Sequence, residues 1–269
     1  MAVWTSGHVN TFHLVLIFIG ALCAHISVNA FNEYFDFKSG LDAKTIRTPF
    51  SGGSGTLPAR PDLARPALNI ASIALAITSL IGVYFLVVRG LALLPVGLLG
   101  AFVIFTYTPW WTRNPLLCLL APGLGFGPLM VIGTYFALTG GYSWIAFAAS
   151  LLPFFLVSNL LLLNQFPDVE ADRSIGRKHL PIVVGRRTSS LIYGVFLSLA
   201  YLVILSGAYL HYLPPAGLLG LLTILIAVPV SINAFRHAED IRKLISLMGL
   251  NVIIIILTPT LVGIGLLIG

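Results

Sequence analysis

Charge is scarce in this sequence of 269 residues, because only 9% of its residues are Asp, Glu, Lys or Arg while 58% are hydrophobic. A water-soluble domain rarely combines so little charge with so much apolar side chain. Cysteine is also scarce: Cys23 and Cys118 both lie in apolar segments, which excludes a disulfide framework or a metal–thiolate site. We expect both cysteines to be packing residues in a membrane-embedded protein.

Long hydrophobic runs, in contrast, are abundant. Most of them reach the roughly 20 residues that a bilayer-spanning helix needs. The sequence therefore predicts an all-α integral membrane bundle of eight transmembrane helices, formed by residues 1–269 as a single domain. The eight runs are 11–31, 67–88, 91–108, 116–139, 144–163, 189–210, 214–235 and 245–268.

The few charges are distributed unevenly between the loops. If the first run enters from outside the cell, fourteen of the 15 basic residues and all nine acidic residues lie on one side. The positive-inside rule makes that side cytoplasmic. We therefore expect an inner or plasma membrane protein whose functional face is cytoplasmic. The net charge of +6 also suits anionic headgroups or an anionic substrate, although topology alone explains most of it.

Two similar acidic phrases each follow an apolar run. Asn32 and Asp36 recur as Asn164 and Asp168, 132 residues later (164 − 32 and 168 − 36). In the second phrase Asp172 adds another step of four, so its three polar residues would form a stripe on one helix face until Pro167 kinks or ends the helix. In the first phrase the next acid is Asp42, which can rejoin the others only if the chain turns at Gly40.

Four carboxylates gathered in a partly dehydrated cavity repel one another by about a few kcal/mol per pair at an effective dielectric near 20. We therefore expect Asp36, Asp42, Asp168 and Asp172 to bind two Mg²⁺ ions that bridge a diphosphate, with Asn32 and Asn164 assisting. The alternative is that such acids are solvated and paired with neighbouring Lys and Arg. That interpretation fits the isolated acids Glu33, Asp62, Glu239 and Asp240.

Basic residues follow both phrases, and a departing diphosphate needs such donors. They are Lys38, Lys44 and Arg47 after the first phrase, and Arg173, Arg177 and Lys178 after the second. Residues 48–56 form a flexible, donor-rich loop that could close over a phosphate. This loop lacks the Lys of a nucleotide P-loop and follows no strand, so we exclude nucleotide binding.

These motifs resemble those of the UbiA superfamily of intramembrane prenyltransferases. The resemblance rests on NEYFDFKSGLD followed by RTPFSGGSG, on Tyr107-Thr108-Pro109, on GFGPLMVIGTYFALTG (125–140), and on NQFPDVEADRSIGRKHLPIVVG (164–185). Many family members have the second acid of the first motif four residues after the first acid, where this chain has Gly40. The longer spacing to Asp42 is similar to the branch that prenylates 1,4-dihydroxy-2-naphthoate in menaquinone biosynthesis.

The resemblance implies an enzyme that ionises a polyprenyl diphosphate with Mg²⁺ and transfers the allylic cation to an aromatic ring. The prenyl tail would lie in an apolar tunnel open to the bilayer. The implied diphosphate-binding residues are Asn32, Lys44, Arg47, Arg113, Asn164, Arg173 and Lys178. Tyr34 and Tyr107 would face the cation, and His25 and Asn29 would line the acceptor pocket; interfacial anchoring and helix-to-helix hydrogen bonding are the alternatives.

Family members usually have nine helices, so the resemblance also implies that the first helix is missing here. Other acceptors, such as 4-hydroxybenzoate, homogentisate or a chlorophyll-type ring, stay open. So do two other classes of protein, a secondary transporter and a non-catalytic lipid-binding protein. A transporter would place its acids near the bilayer midplane, whereas these follow the apolar runs. Nothing indicates nucleic-acid binding, and no pattern specifies an oligomeric state.

Overall fold

The computed structural model describes all residues from Met1 to Gly269, and every regular element is a helix. Seven helices are long and apolar enough to cross a membrane, and an eighth apolar helix is shorter. Each coincides with one of the eight predicted apolar runs. The helices are α1 (Thr11–Ser39), α2 (Pro61–Arg89), the shorter α3 (Leu91–Thr106), α4 (Pro115–Thr139), α5 (Trp144–Asn164), α6 (Gly185–Tyr209), α7 (Pro215–Arg236) and α8 (Ile241–Ile268).

The helices pack as two groups. Helix α1 lies along α2, while α5 packs against α4, α6 and α8, and α7 covers α6 and α8. The main core lies in the second group, where side chains such as Leu156, Tyr193, Ile204 and Ile254 are almost fully buried. Outward-facing residues such as Leu80 and Leu225 are exposed and apolar, as a surface in contact with lipid requires.

Glycine brings α4 unusually close to α5. A Cβ atom at Gly123 would fall 2.3 Å from the backbone oxygen of Phe154, and one at Gly127 would fall 2.6 Å from that of Ser150. Small residues four apart allow this approach, as in other membrane helix pairs. A π-helical segment, Gly125–Leu129, interrupts α4 and contains both Gly127 and Pro128. The close packing holds the body of α5, whose C-terminal end carries the second acidic phrase.

One basic residue, Arg89, lies at the opposite end of the bundle from the acidic phrases. Its guanidinium donates to the backbone oxygens of Ala137 and Leu138 at 2.8 and 2.7 Å, near the C-terminus of α4. A cation at that position stabilises the unpaired carbonyls of a helix end. The single basic residue outside the charged face therefore has a structural role.

Candidate active site

The first acidic phrase lies at the end of α1. Asn32 and Asp36 are one helical turn apart, and α1 ends at Ser39 because Gly40 adopts a left-handed conformation with φ 73°. The chain then reverses, and the backbone amide of Leu41 donates to the backbone carbonyl oxygen of Asp36 at 3.1 Å. Asp42 consequently returns to the site and is buried. The predicted turn at Gly40 is confirmed.

The second phrase is divided between two helices. Helix α5 ends at Asn164, and Asp168 directly precedes a short helix, Val169–Ser174, which contains Asp172. Pro167 lies in the break, where a residue without an amide donor is tolerated. The expected end of the helix near Pro167 is confirmed. The expectation of one continuous stripe is wrong, because residues 165–168 form turns that separate the two helices.

Arg177 joins the two phrases. Its guanidinium donates to Asp36, 141 residues earlier in the sequence, and to Asp172 Oδ1 at 2.9 Å. Burial acts to lower the pKa of Arg177, but the adjacent Asp36 and Asp172 carboxylates raise it further, so the side chain stays charged. The second oxygen of Asp172 pairs with His179 Nε2 at 2.9 Å. The prediction that the two phrases face each other is therefore confirmed through a single buried cation.

The sequence placed Arg177 only among the basic residues that follow the second phrase and did not indicate that it contacts both phrases. His179 is also buried, with 2% of its surface exposed. The chain leaves the short helix after Ser174 and turns at Gly176, which has φ 82°. This turn directs both side chains back towards Asp172. A spacing of five or seven residues along one uninterrupted helix would not have signalled the contact.

Two other carboxyl groups have raised pKa values. Burial and the nearby Asp172 raise the pKa of Asp168 to about 7, against the lowering effects of Arg177 and a hydrogen bond from Ser51. Burial, followed by the nearby Glu33, raises the pKa of Asp42 to about 6. The folded state therefore favours each of these carboxyl groups either in its protonated form or with a cation bound to it.

The donor set fits an oxygen-seeking cation. Buried oxygens without any hydrogen-bond partner occur on Asp42, Asn164 and Asp168. Carboxylate and amide oxygens are suitable ligands for Mg²⁺. However, no group of three His, Cys, Asp or Glu side chains is arranged here to hold a metal ion. Metal binding by Asp36, Asp42, Asp168 and Asp172 therefore stays a prediction.

The predicted basic residues near the acids make different contacts. Lys44 Nζ donates to Ser174 Oγ at 3.2 Å and so links the two motifs. Arg173 instead pairs with the exposed Glu170 at 3.1 Å. Lys178 and Arg113 are exposed. Their backbones lie close together, because the amide of Lys178 donates to the backbone carbonyl oxygen of Thr112 at 3.0 Å. Arg47 lies across the backbone of Gly55 and beside Asp42.

The predicted aromatic residue Tyr107 lies close to the acids. It is close to Arg177, Asp36 and Cys118, and burial raises its pKa well above the usual range. Cys118 also accepts a hydrogen bond from Gln165 Nε2 at 3.2 Å, so it is more than the packing residue we expected. Thr108, next to Tyr107, accepts from Asn32 Nδ2 at 3.2 Å, which leaves the amide oxygen of Asn32 available.

The other predicted pocket residues have contacts that do not include the acids. Tyr34 contacts Phe35 on its own helix, and Lys38 Nζ lies 5.9 Å from the Tyr34 ring centroid. Asn29 Nδ2 donates to the backbone oxygen of His25 at 2.8 Å. The His25 ring packs edge-on to Phe126 of α4, with centroids 5.6 Å apart. His25 therefore contacts α4, while Asn29 bonds within α1.

Glu33 was expected to be a solvated acid paired with Lys or Arg, and this expectation is wrong. Its carboxylate accepts hydrogen bonds from the backbone amide and hydroxyl of Ser54. The loop containing Ser54 is thereby attached to α1. The loop, expected to be flexible, is folded against the site.

Comparison with known proteins is consistent with this arrangement. The model of the UbiA prenyltransferase family matches residues 1–253. A 1,4-dihydroxy-2-naphthoate octaprenyltransferase from Bacillus subtilis is 29% identical over 196 residues, which are 70% of this chain and 60% of that protein. A 2-carboxy-1,4-naphthoquinone phytyltransferase from Synechocystis is 25% identical over 45% of this chain and 37% of that protein. The matches thus span less than two thirds of either relative.

The fold is also similar to that of a solved structure. A structure reported for digeranylgeranylglyceryl phosphate synthase in membranes superposes with a TM-score of 0.64, covering 98% of this chain and 90% of that chain. At 15% sequence identity, this similarity concerns the fold alone.

Proposed function

Because this chain belongs to the UbiA prenyltransferase family, we propose that it transfers a polyprenyl group from an allylic polyprenyl diphosphate to a small aromatic acceptor. The acceptor favoured by the relatives is 1,4-dihydroxy-2-naphthoate, as in menaquinone biosynthesis. One observation carries the proposal: two acidic phrases from distant parts of a membrane helix bundle meet across Arg177.

The diphosphate would bind at the carboxylate cluster. Prenyltransferases of this family generally use Mg²⁺, and two ions would neutralise the diphosphate and polarise its oxygens. The proposed metal ligands are Asp36, Asp42, Asp168 and Asp172, with the amide oxygens of Asn32 and Asn164. Asp172 is the least available of these, because both its oxygens already bind Arg177 and His179.

In the reaction, the bond between the allylic carbon and the diphosphate oxygen breaks, and its electron pair leaves with the diphosphate. Arg177 is a buried guanidinium beside the cluster, so it can stabilise the charge that develops on that oxygen. Lys44, Arg47, Arg113, Arg173 and Lys178 lie at the rim, where they would attract and orient the anion.

The allylic cation would then meet the aromatic acceptor. A carbon of the electron-rich ring forms the new bond to the cation and then loses the substituent it carried, either a proton or, if that carbon bears a carboxylate, CO₂. The electron pair of the broken bond returns to the ring. We assign Tyr107 to stabilising the cation with its ring, because it lies close to Asp36 and so to the proposed diphosphate site. We assign Tyr34, His25 and Asn29 to the acceptor or prenyl side, because none of their contacts involves the carboxylates.

The test is a product assay with purified protein, Mg²⁺, a polyprenyl diphosphate and each candidate acceptor in turn. We expect pyrophosphate release and a prenylated product with dihydroxynaphthoate. Asp36→Ala and Asp168→Ala should each lower the rate by at least about a hundredfold, since each removes a group that acts on the departing diphosphate.

Asp62→Asn provides the matched control, because Asp62 is exposed and paired with Arg60. Wild-type rates in both cluster variants would contradict the proposed site. Product formation with 4-hydroxybenzoate but not dihydroxynaphthoate would overturn the acceptor and leave the reaction type intact.

A further inference from the structure

The loop between the first acidic phrase and α2 has a defined fold. The backbone amide of Thr48 donates to the backbone carbonyl oxygen of Ser51 at 3.0 Å. In return, Thr48 Oγ1 accepts from the backbone amide of Ser51 at 3.0 Å. The ring of Phe50 lies against Gly249 of α8, where a Cβ atom would come within 3.3 Å of Phe50 Cζ. The start of the loop is therefore anchored to the half of the bundle that carries the second acidic phrase.

Glu33 anchors the other end of the loop to α1. Glu33 Oε1 accepts from the amide of Ser54 at 2.7 Å, and Oε2 accepts from Ser54 Oγ at 2.9 Å. Two hydrogen bonds to one carboxylate fix both the distance and the orientation of the segment. The part of the loop between Ser51 and Ser54 is thus held at both ends.

Between these anchors lie Gly52 and Gly53, with φ values of 87° and 67°. Neither amide N–H donates to a protein acceptor. Successive unpaired amides in a turn can donate to one anion. A Cβ atom at Gly53 would fall 3.3 Å from Asp42 Oδ1, so this turn lies beside an acid whose other oxygen is buried and unpartnered.

A positive charge is also close. The Arg47 guanidinium lies so near Gly55 that a Cβ atom there would fall 1.7 Å from Arg47 Nη1. The loop therefore combines two free amides, a guanidinium and a neighbouring unpartnered carboxylate oxygen. An anion alone would be repelled by Asp42, whereas an anion that arrives with a divalent cation satisfies all four groups.

We infer that residues 51–55 form a phosphate subsite, in which the Gly52 and Gly53 amides bind oxygens of a metal-bound diphosphate, and that Glu33 is its positioning residue. This inference rests on the proposed function and assigns further groups to the same site. Glu33 holds the loop through Ser54 and does not itself touch the diphosphate.

The experiment measures amide hydrogen exchange of the full-length protein, with Mg²⁺ and inorganic pyrophosphate as the probe. In the wild type, pyrophosphate should slow exchange at Gly52 and Gly53 by about tenfold or more, as hydrogen bonds to a charged acceptor do. Glu33→Gln keeps the size of the side chain and removes its charge. It should speed exchange at Ser54 without ligand and raise the Kd for Mg²⁺–pyrophosphate about tenfold.

Asp62→Asn is the control, because it removes the same unit of charge at an exposed position and should leave both readouts at wild-type values. Should Glu33→Gln fail to fold, Ser54→Ala removes only the hydroxyl bond to Glu33 and is expected to shift both readouts in the same direction. In turnover assays, Glu33→Gln and Ser54→Ala should each raise KM for the prenyl diphosphate more than they lower kcat.

The outcomes separate the two proposals. If the wild type binds no pyrophosphate with Mg²⁺, both the proposed function and the subsite are overturned. If the wild type binds pyrophosphate while exchange at Gly52 and Gly53 is unchanged, or if Glu33→Gln binds as tightly as Asp62→Asn, only the subsite is overturned.

Discussion

Arg177 is the residue on which the electrostatics of the site depend most. It is a nearly buried guanidinium, with 13% of its side chain exposed, between the carboxylates of Asp36 and Asp172. Buried ion pairs contribute little net stability when complete, but removal of one partner leaves an uncompensated charge. Arg177 therefore has a structural role in addition to its proposed action on the diphosphate.

We expect Arg177→Gln to lower the free energy of unfolding by about 3–5 kcal/mol in the absence of divalent cations, because two buried carboxylates lose their counter-charge. Thermal unfolding of detergent-solubilised protein measures the effect, and Mg²⁺ should restore part of the loss. Arg60→Gln breaks an exposed pair with Asp62 and should cost less than about 1 kcal/mol. Equal melting temperatures of the two variants would contradict the role given to Arg177.

Asp168 should make stability depend on pH. Its pKa rises from an ordinary value of 3.8 to about 7 in the folded protein, so the folded state favours the protonated form. That contribution is complete below the unfolded pKa and is lost as pH rises through about 7. In chelator, Asp168→Asn should therefore gain stability relative to wild type between about pH 5 and pH 8. A stability difference that does not change with pH in thermal melts would argue against the raised pKa.

At the scale of elements, the site depends on where helices end and how closely they pack. The end of α1 at Gly40 returns Asp42 to Asp36, and the break after α5 separates Asp168 from Asn164. Helix α5 is held in place by its close approach to α4 at Gly123. A displacement of α5 would move the second acidic phrase relative to the first.

Gly123→Ala tests this packing. The added Cβ would fall 2.2 Å from Ser158 Oγ and 2.3 Å from the backbone oxygen of Phe154, so the helices must separate. We expect a loss of stability of about 1–3 kcal/mol, or more, in thermal unfolding. Gly100→Ala in α3 meets nothing within 4 Å and serves as the control. A Gly123→Ala protein as stable as the Gly100→Ala protein would show that the contact is not tight.

At the scale of the whole molecule, charge divides the bundle into two ends. The acidic phrases, the loop at 48–56 and nearly all basic residues gather at one end, while Arg89 caps α4 at the other. The apolar surface between the ends matches a bilayer. We propose that the charged end faces the cytoplasm, as the positive-inside rule predicts.

Cysteine labelling in intact cells tests this orientation. Glu170, with 74% of its side chain exposed, lies at the charged end, and Tyr209, 83% exposed, lies at the other. A membrane-impermeant maleimide should label Tyr209→Cys in intact cells and Glu170→Cys only after permeabilisation, above the signal of the parent protein. The reverse pattern would place the site outside the cytoplasm.

The sequence by itself determined the membrane class, the eight apolar helices, the charged end and the two acidic phrases. These features depend on local composition and on spacings within single segments, such as Asn32 to Asp36. Only the tertiary structure decided that Arg177 joins Asp36 to Asp172, that His179 is buried, and that Glu33 binds Ser54. Each of these depends on a chain reversal or on a contact between distant segments, and helical periodicity carries no information about either.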